Sequence, residues 1–295
     1  MNPISVLHIS LFQSANSTSG FYFNTMKGHL KTSHKYIEKP HRHDFYVTVL
    51  FTQGTGVHEI DFQSYDVEAG SLFFLSPGQI HSWQLSDDCD GYIFFFSQEY
   101  YDMHYVHQKL KSYPFFASVS FPRKLQLTSA DTPYVTSLFN AIQQEYNVPD
   151  LMKHEFILSL ITQIYILSTR QYSKDQEQLI SRTTFSYIKH YQEFELLLEE
   201  HFRKHKSIAY YADLLGITPK HLNRITRTVV QKKASDVITE RIILEAKRML
   251  IYLNESLTDI AFRLGFEEYS YFTRVFRKNT GETPSQFILK HKLQV

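Results

Sequence analysis

His41 and His43 stand one residue apart, a spacing that sets both imidazoles on the same face of an extended strand. Neutral imidazoles on one face can hold a metal ion or a polar ligand. Far down the chain, Lys220, Asn223, Arg224 and Arg227, then Arg274, Arg277 and Lys278, fall beside two copies of one short pattern. Guanidinium and amide groups are the side chains that pair with base edges, and cationic groups also meet phosphates. The chemistry on offer is therefore ligand capture early in the chain and nucleic-acid contact late.

The charge distribution agrees with that division. Residues 1–202 hold 14 Lys and Arg against 21 Asp and Glu, whereas residues 203–295 hold 17 against 9. A net of +8 over the last stretch favours a polyanion as its partner. Cys89 is the only cysteine, so an internal disulfide is excluded and a reducing compartment is expected. The N-terminus lacks a basic stretch followed by an apolar run, and 156–167 (FILSLITQIYIL) is too short and interrupted to span a bilayer. A cytoplasmic protein is expected, with no membrane partner. There is no catalytic triad, phosphate-binding glycine loop or CxxC pair, so no enzyme activity and no cofactor are expected. His190, His201 and His205 read as solvated surface.

These groups need elements to hold them. From Phe21 to about Phe96, short aromatic and β-branched runs (45–52, 56–62, 71–75 and 91–96) alternate with clusters of Gly, Pro or Asp. Strands at that spacing predict a small antiparallel barrel or sandwich over 21–130. Residues 1–20 read as an N-terminal arm. After Pro133 the period changes. Leu138, Ile142 and Tyr146, then Phe156, Leu160, Ile161, Ile164 and Leu167, recur at helical spacing around a break at 148–150. These helices, 131–171, are a candidate dimerisation element, since the second is apolar on more than one face. The polar stretch 172–182 reads as a linker, and helix resumes at Thr183.

The late repeat is the most specific signal. Ile208–Ile217 aligns with Leu257–Phe266, which places Ala212 and Ala261, and Gly216 and Gly265, 49 residues apart. A helix-turn-helix asks for these types: a small residue where a second helix crosses closely, then a glycine at positive φ that ends the first helix. Ile217 and Phe266 then dock in the core. Thr218 and Pro219 form the cap and first turn of the next helix, and Ser256 with Asp259 forms a capping box. Beyond the turn the offset becomes 50: Leu222, Arg224 and Arg227 match Phe272, Arg274 and Arg277. Residues 234–253 read as one amphipathic helix capped by Ser235, which would fix the separation of two reading helices about one DNA turn (~34 Å) apart.

With this duplication in place, the chain resembles the AraC/XylS family of bacterial regulators over nearly its whole length. The segment from Asp259 to Phe287 carries the resemblance best, and Gly281 and Pro284 lead into the family's closing helix. The resemblance implies an N-terminal cupin-like β-barrel followed by helices, then an all-α domain with two helix-turn-helix units joined by a linker helix, spanning 183–295. It implies sequence-specific binding of double-stranded DNA, a homodimer, and RNA polymerase as a further partner. The family's base-contacting positions fall on Lys220, His221, Asn223 and Arg224 in the first unit, and on Tyr269, Ser270, Tyr271 and Arg274 in the second. Arg227, Arg277 and Lys278 suit phosphates.

Pro40–Tyr46 and Gly70–Trp83 are similar to the two motifs of a cupin barrel. In metal-binding cupins the ligands are two His, a Glu and a later His, and His41, His43 and His81 fit three of those places. The acid positions hold Val47 and Thr48, and Asp44 points to the opposite face, so no metal is expected there. The resemblance implies instead a pocket for a small-molecule effector, with His41, His43, His81, Trp83 and Tyr92 as its candidate lining. Two alternatives stay open: these side chains merely fill a ligand-free barrel, or the chain is a cupin enzyme with a helical appendage.

Overall fold

In a run such as Ser71–Leu75 (SLFFL) the four positions after Ser71 are all apolar, which in a strand means that both faces are covered. The computed structural model, which describes residues 6–12, 20–37, 39–105, 110–117, 122–148, 151–175, 182–252 and 255–292, bears that out. These residues divide into two compact units, 6–116 with 122–175 and, separately, 182–292.

The first unit runs β1 (Val6–Leu7), β2 (Phe21–Thr25), α1 (Met26–Ile37), β3 (His41–His43), β4 (Tyr46–Gln53), β5 (Gly56–Ile60), β6 (Gln63–Val67), β7 (Ser71–Leu75), β8 (Ile80–Leu85), β9 (Asp90–Phe96), α2 (Gln98–His104), α3 (Pro114–Ala117), β10 (Lys124–Gln126), α4 (Thr132–Asn147) and α5 (Lys153–Asp175). Two five-stranded sheets form, in the orders β1-β3-β8-β5-β6 and β10-β7-β4-β9-β2. Apart from the parallel β1–β3 pair, every pairing among the described residues is antiparallel.

The second sheet has a core on each side. Val47, Val49, Phe51, Phe73, Leu75, Ile93 and Phe95 point toward the first sheet and meet Ile60, Val67 and Trp83. Their neighbours in sequence, Tyr46, Leu50, Leu72, Phe74, Phe94 and Phe96, point the other way and are covered by α4 and α5 through Phe139, Ile142, Ile157, Ile161 and Tyr165. Each fully buried Phe or Leu contributes roughly 1.5–3 kcal/mol. Thr48 is the polar exception on that outer face, and its hydroxyl is satisfied by the Tyr165 hydroxyl at 2.9 Å.

Three sequence expectations change. The strand-only reading of 21–96 misses α1. Within the expected arm, β1 pairs with β3, and Phe12 lies 5.0–6.0 Å ring to ring from Phe95, Tyr22, His29 and Phe45. Residues 1–5 and 13–19 of that arm lie outside the described residues. Helix α5 extends four residues into the expected linker, and Tyr172 there donates to Pro122 O at 2.9 Å. Residues 176–181 of that linker, like Pro149 and Asp150 in the interhelical break, lie outside the described residues.

The second unit contains α6 (Arg182–His201), α7 (Ile208–Leu214), α8 (Pro219–Val230), α9 (Ala234–Tyr252), α10 (Leu257–Arg263), α11 (Tyr269–Thr280) and α12 (Pro284–Lys292). Helix α9 contacts α8 on one side of the repeat and α10, α11 and α12 on the other. Its buried Arg241 binds Glu199 of α6 through Nε (2.5 Å) and Nη2 (3.0 Å) and reaches Glu245 at 3.2 Å. No helix among the described residues is long and apolar enough to cross a membrane.

Candidate effector pocket and nucleic-acid interface

Strand register assembles the histidines. His41 on β3 lies opposite His81 on β8, and Trp83 on β8 lies opposite His58 on β5. Alternation then puts His41, His43, His81, Trp83 and His58 on one face of three adjacent strands. His43 Nε2 meets His81 Nε2 at 2.6 Å, and His81 Nδ1 meets His58 Nε2 at 2.9 Å. His41 Nδ1 donates to Lys39 O at 2.9 Å, which leaves its Nε2 without a proton. All four imidazoles are 0–4% exposed. Burial pushes each of them below the ordinary imidazole range, and mutual repulsion with the other histidines adds to this at His43, His58 and His81. They are therefore neutral, with lone pairs available. Helix α1 adds His29, which burial lowers to about 3, at 6.5 Å ring to ring from Trp83. Three buried nitrogens on this face, His43 Nδ1, His58 Nδ1 and Trp83 Nε1, have no hydrogen-bond partner. Since buried polar atoms are nearly always paired, the face suits a polar ligand.

Tyr92 does not join them. It lies on the outer face of β9, packs on Phe139 at 5.8 Å and donates to Asn140 Oδ1 at 2.6 Å, so it is removed from the expected pocket. Asp44 faces away from the cluster and binds His8 at 2.5 Å.

In the second unit the repeat folds as two helix-turn-helix units. Gly216 and Gly265 have φ of 64° and 72°, the left-handed conformation that ends α7 and α10. Thr218 Oγ1 accepts from His221 N and caps α8, while Ser256 Oγ accepts from Asp259 N and caps α10. Ala212 and Ala261 are fully buried, as close helix crossing requires. The 50-residue offset persists to the ends of α8 and α11, where Gln231 and Gly281 both take positive φ (57° and 83°). Lys220, Arg224 and Arg227 on α8, and Ser270, Tyr271, Arg274, Arg277 and Lys278 on α11, are exposed, while His221 and Tyr269 are half-buried. Arg224 donates to His221 Nδ1 at 2.9 Å and lies over the Tyr187 ring of α6. Arg274 lies over Tyr271 in the same way. Neither arginine has a carboxylate partner among the described residues.

Comparison with known proteins matches both units. The AraC-like ligand binding domain family matches residues 28–158, and a helix-turn-helix domain family matches 211–290. The chain belongs to the AraC family of transcription regulators. It is a DNA-binding regulator with an N-terminal ligand-binding domain, not an enzyme. Among its relatives are proteins named HTH-type transcriptional activator RhaS. That of Enterobacter sp. (strain 638) is 22% identical over 83% of this chain and 86% of its own length. That of Escherichia coli O81 (strain ED1a) is 23% identical over 83% and 85%. Among solved structures, ToxT from Vibrio cholerae aligns over 92% of this chain and 98% of its own, at 12% identity and a TM-score of 0.41.

Two details of this AraC-type domain depart from the sequence reading. Asn223, expected to touch bases, uses its amide internally: Oδ1 accepts from Ala234 N at 3.0 Å and Nδ2 donates to Pro219 O at 3.2 Å. Ser235, expected to cap α9, lies inside that helix, so Asn223 supplies the cap instead. His58 was missed in the ligand-binding half. Its signal was present, because alternation in Gly56–Ile60 puts His58 and Ile60 on one face.

Proposed function

We propose that α8 and α11 enter successive major grooves of double-stranded DNA. Lys220, His221 and Arg224, with Tyr269, Ser270, Tyr271 and Arg274, would meet base edges, and Arg227, Arg277 and Lys278 would meet phosphates. The observation that carries this reading is the matched state of Arg224 and Arg274. They stand 50 residues apart at equivalent places in the repeat, are exposed, and rest on a tyrosine ring instead of a carboxylate. A guanidinium held this way is free to donate two bonds to guanine O6 and N7.

The inner face of the first unit, with His41, His43, His81 and Trp83, is the pocket for a small effector, whose binding biases DNA affinity by favouring one of two states. The chain acts in the cytoplasm as a homodimer and works with RNA polymerase. Exposed Leu151, Met152, Phe156 and Ile166 around α5 support the dimer. The RhaS relatives are named as activators, which supports activation as the sign of control.

The test begins with DNA fragments of the source genome enriched by the purified chain. Affinity for such a fragment is then titrated between about 50 and about 200 mM salt. Several phosphate contacts predict a steep negative log–log slope. A flat dependence, or failure to enrich any fragment, sinks the reading.

A further inference from the structure

The four buried imidazoles on β3, β8 and β5 are a costly way to fill a core. Each carries two polar nitrogens into a face backed by Phe45, Phe73 and Phe95, where an apolar residue of similar size would pack without that cost. One nitrogen each from His41, His43 and His81 lies within 4.8 Å of the others, and among the described residues no carboxylate belongs to the group. We propose that this face is a transition-metal site, in which His41, His43 and His81 bind one divalent first-row cation of the zinc class and His58 is the positioning residue for His81. The proposal rests on the effector reading and deepens it by naming the chemistry of what the pocket takes.

The donor set selects the ion. Three neutral imidazoles without carboxylate suit Zn2+, Co2+, Ni2+ or Cu2+ and reject Ca2+ and Mg2+, which need oxygen ligands. The ring orientations agree. Because Lys39 O takes the Nδ1 proton of His41, Nε2 is the lone-pair atom. When His81 donates from Nδ1 to His58 Nε2, its own Nε2 lone pair is directed at the His43 side. Two of the three ligating imidazoles, His41 and His81, thus have behind them the kind of acceptor that fixes tautomer and aim at metal sites, while His43 Nδ1 has none. Three protein ligands leave one tetrahedral position for water or an oxygen-bearing solute.

The experiment uses the full chain, purified without a histidine tag and stripped with chelator, and titrates it with Co2+. The expected result is one equivalent bound, visible absorption of tetrahedral intensity, and a raised melting temperature. X-ray absorption of the loaded wild type, which depends on no variant folding, should show a shell of three imidazoles at about 2.0–2.1 Å. His81→Gln should abolish stoichiometric binding, and His58→Gln should weaken it about 10–100-fold while retaining the spectrum. Absence of stoichiometric cobalt in the folded wild type overturns the proposal, as does a shell without imidazole or unchanged binding in folded His81→Gln. If no cobalt binds but an organic solute raises the melting temperature of the metal-free chain, the metal proposal falls and the effector reading stands.

Discussion

The side-chain Oδ1 of Asn223 accepts a hydrogen bond from the backbone N–H of Ala234 at 3.0 Å. Helix α8 of the first helix-turn-helix thus caps α9, the helix that joins the two helix-turn-helix motifs, and the orientation of one depends on the other. An unsatisfied N–H at the start of α9 would loosen that junction. Asn223→Ala should cost about 1 kcal/mol of stability, as loss of an N-cap does, whereas Asn223→Asp should retain most of it. Because the amide is spent internally, the Ala variant should lose affinity for cognate and unrelated DNA alike. Urea midpoints and the ratio of the two affinities check this; a loss confined to the cognate site would return Asn223 to base reading.

The two turn glycines are unequal despite their shared conformation. A Cβ on Gly216 meets nothing within 4 Å, while one on Gly265 would stand 2.0 Å from Arg203 O. Gly216→Ala should therefore cost only the positive-φ strain, about 1–2 kcal/mol. Gly265→Ala should cost clearly more, because backbone must also move. Lys206, which donates to Gly265 O and lies over the Phe266 ring at 4.6 Å, would be displaced with it. Thermal or urea unfolding of both variants decides the order, and equal losses would contradict it.

Acid should weaken the second unit through Glu245. Burial pushes this carboxyl up, but Arg241, Arg248 and Arg203 more than reverse that and hold it below the usual carboxylate range. A depressed carboxyl contributes stability that is present in full above its unfolded value, near 4.3, and is lost as pH falls through the folded value. Glu245→Gln should be destabilised at about pH 7, with the gap to wild type closing toward about pH 3. Urea titrations at the two pH values measure it. Removing Arg241 itself, which is buried against both Glu199 and Glu245, should cost about 3–5 kcal/mol.

Cys89 should be inert in the native chain. It is 2% exposed, and burial, with Asp88 and Asp90 alongside, raises its thiol to about 11. Near neutral pH that leaves a few hundredfold less thiolate than an ordinary thiol near 8.5. A thiol reagent should label the chain slowly when folded and rapidly in urea. Rapid labelling of the native chain would show that the 86–90 turn opens.

Which parts of this were legible in the sequence follows from burial and period. Strands β4, β7 and β9 were plain because a core on each side demands an unbroken apolar run. Strand β6 (QSYDV) was not, since it lies at a sheet edge with mostly exposed side chains and shows no apolar face. Helix α1 (MKGHLKTSHKYI) hid because its polar composition and strand-rich surroundings masked a helical period. The repeat in the second unit was legible to the level of single caps, because Thr218, Ser256 and the two glycines act within one turn of their own position. The internal role of Asn223 was hidden for the opposite reason: its partner, Ala234, is eleven residues away on another helix. Similarly, His58 acquires its meaning only when register sets β5 beside β8, and Tyr92 loses its expected role when register shows which face of β9 it occupies.

The central claim is that the two helix-turn-helix units read DNA through matched, carboxylate-free arginines. Electrophoretic titration of the full chain and of Arg274→Ala, on an enriched genomic fragment and on variants with single base changes, tests it most directly. A loss of about 1–3 kcal/mol on the intact site, with discrimination relaxed at one base position only, is the predicted result. Unchanged affinity together with unchanged discrimination would contradict it.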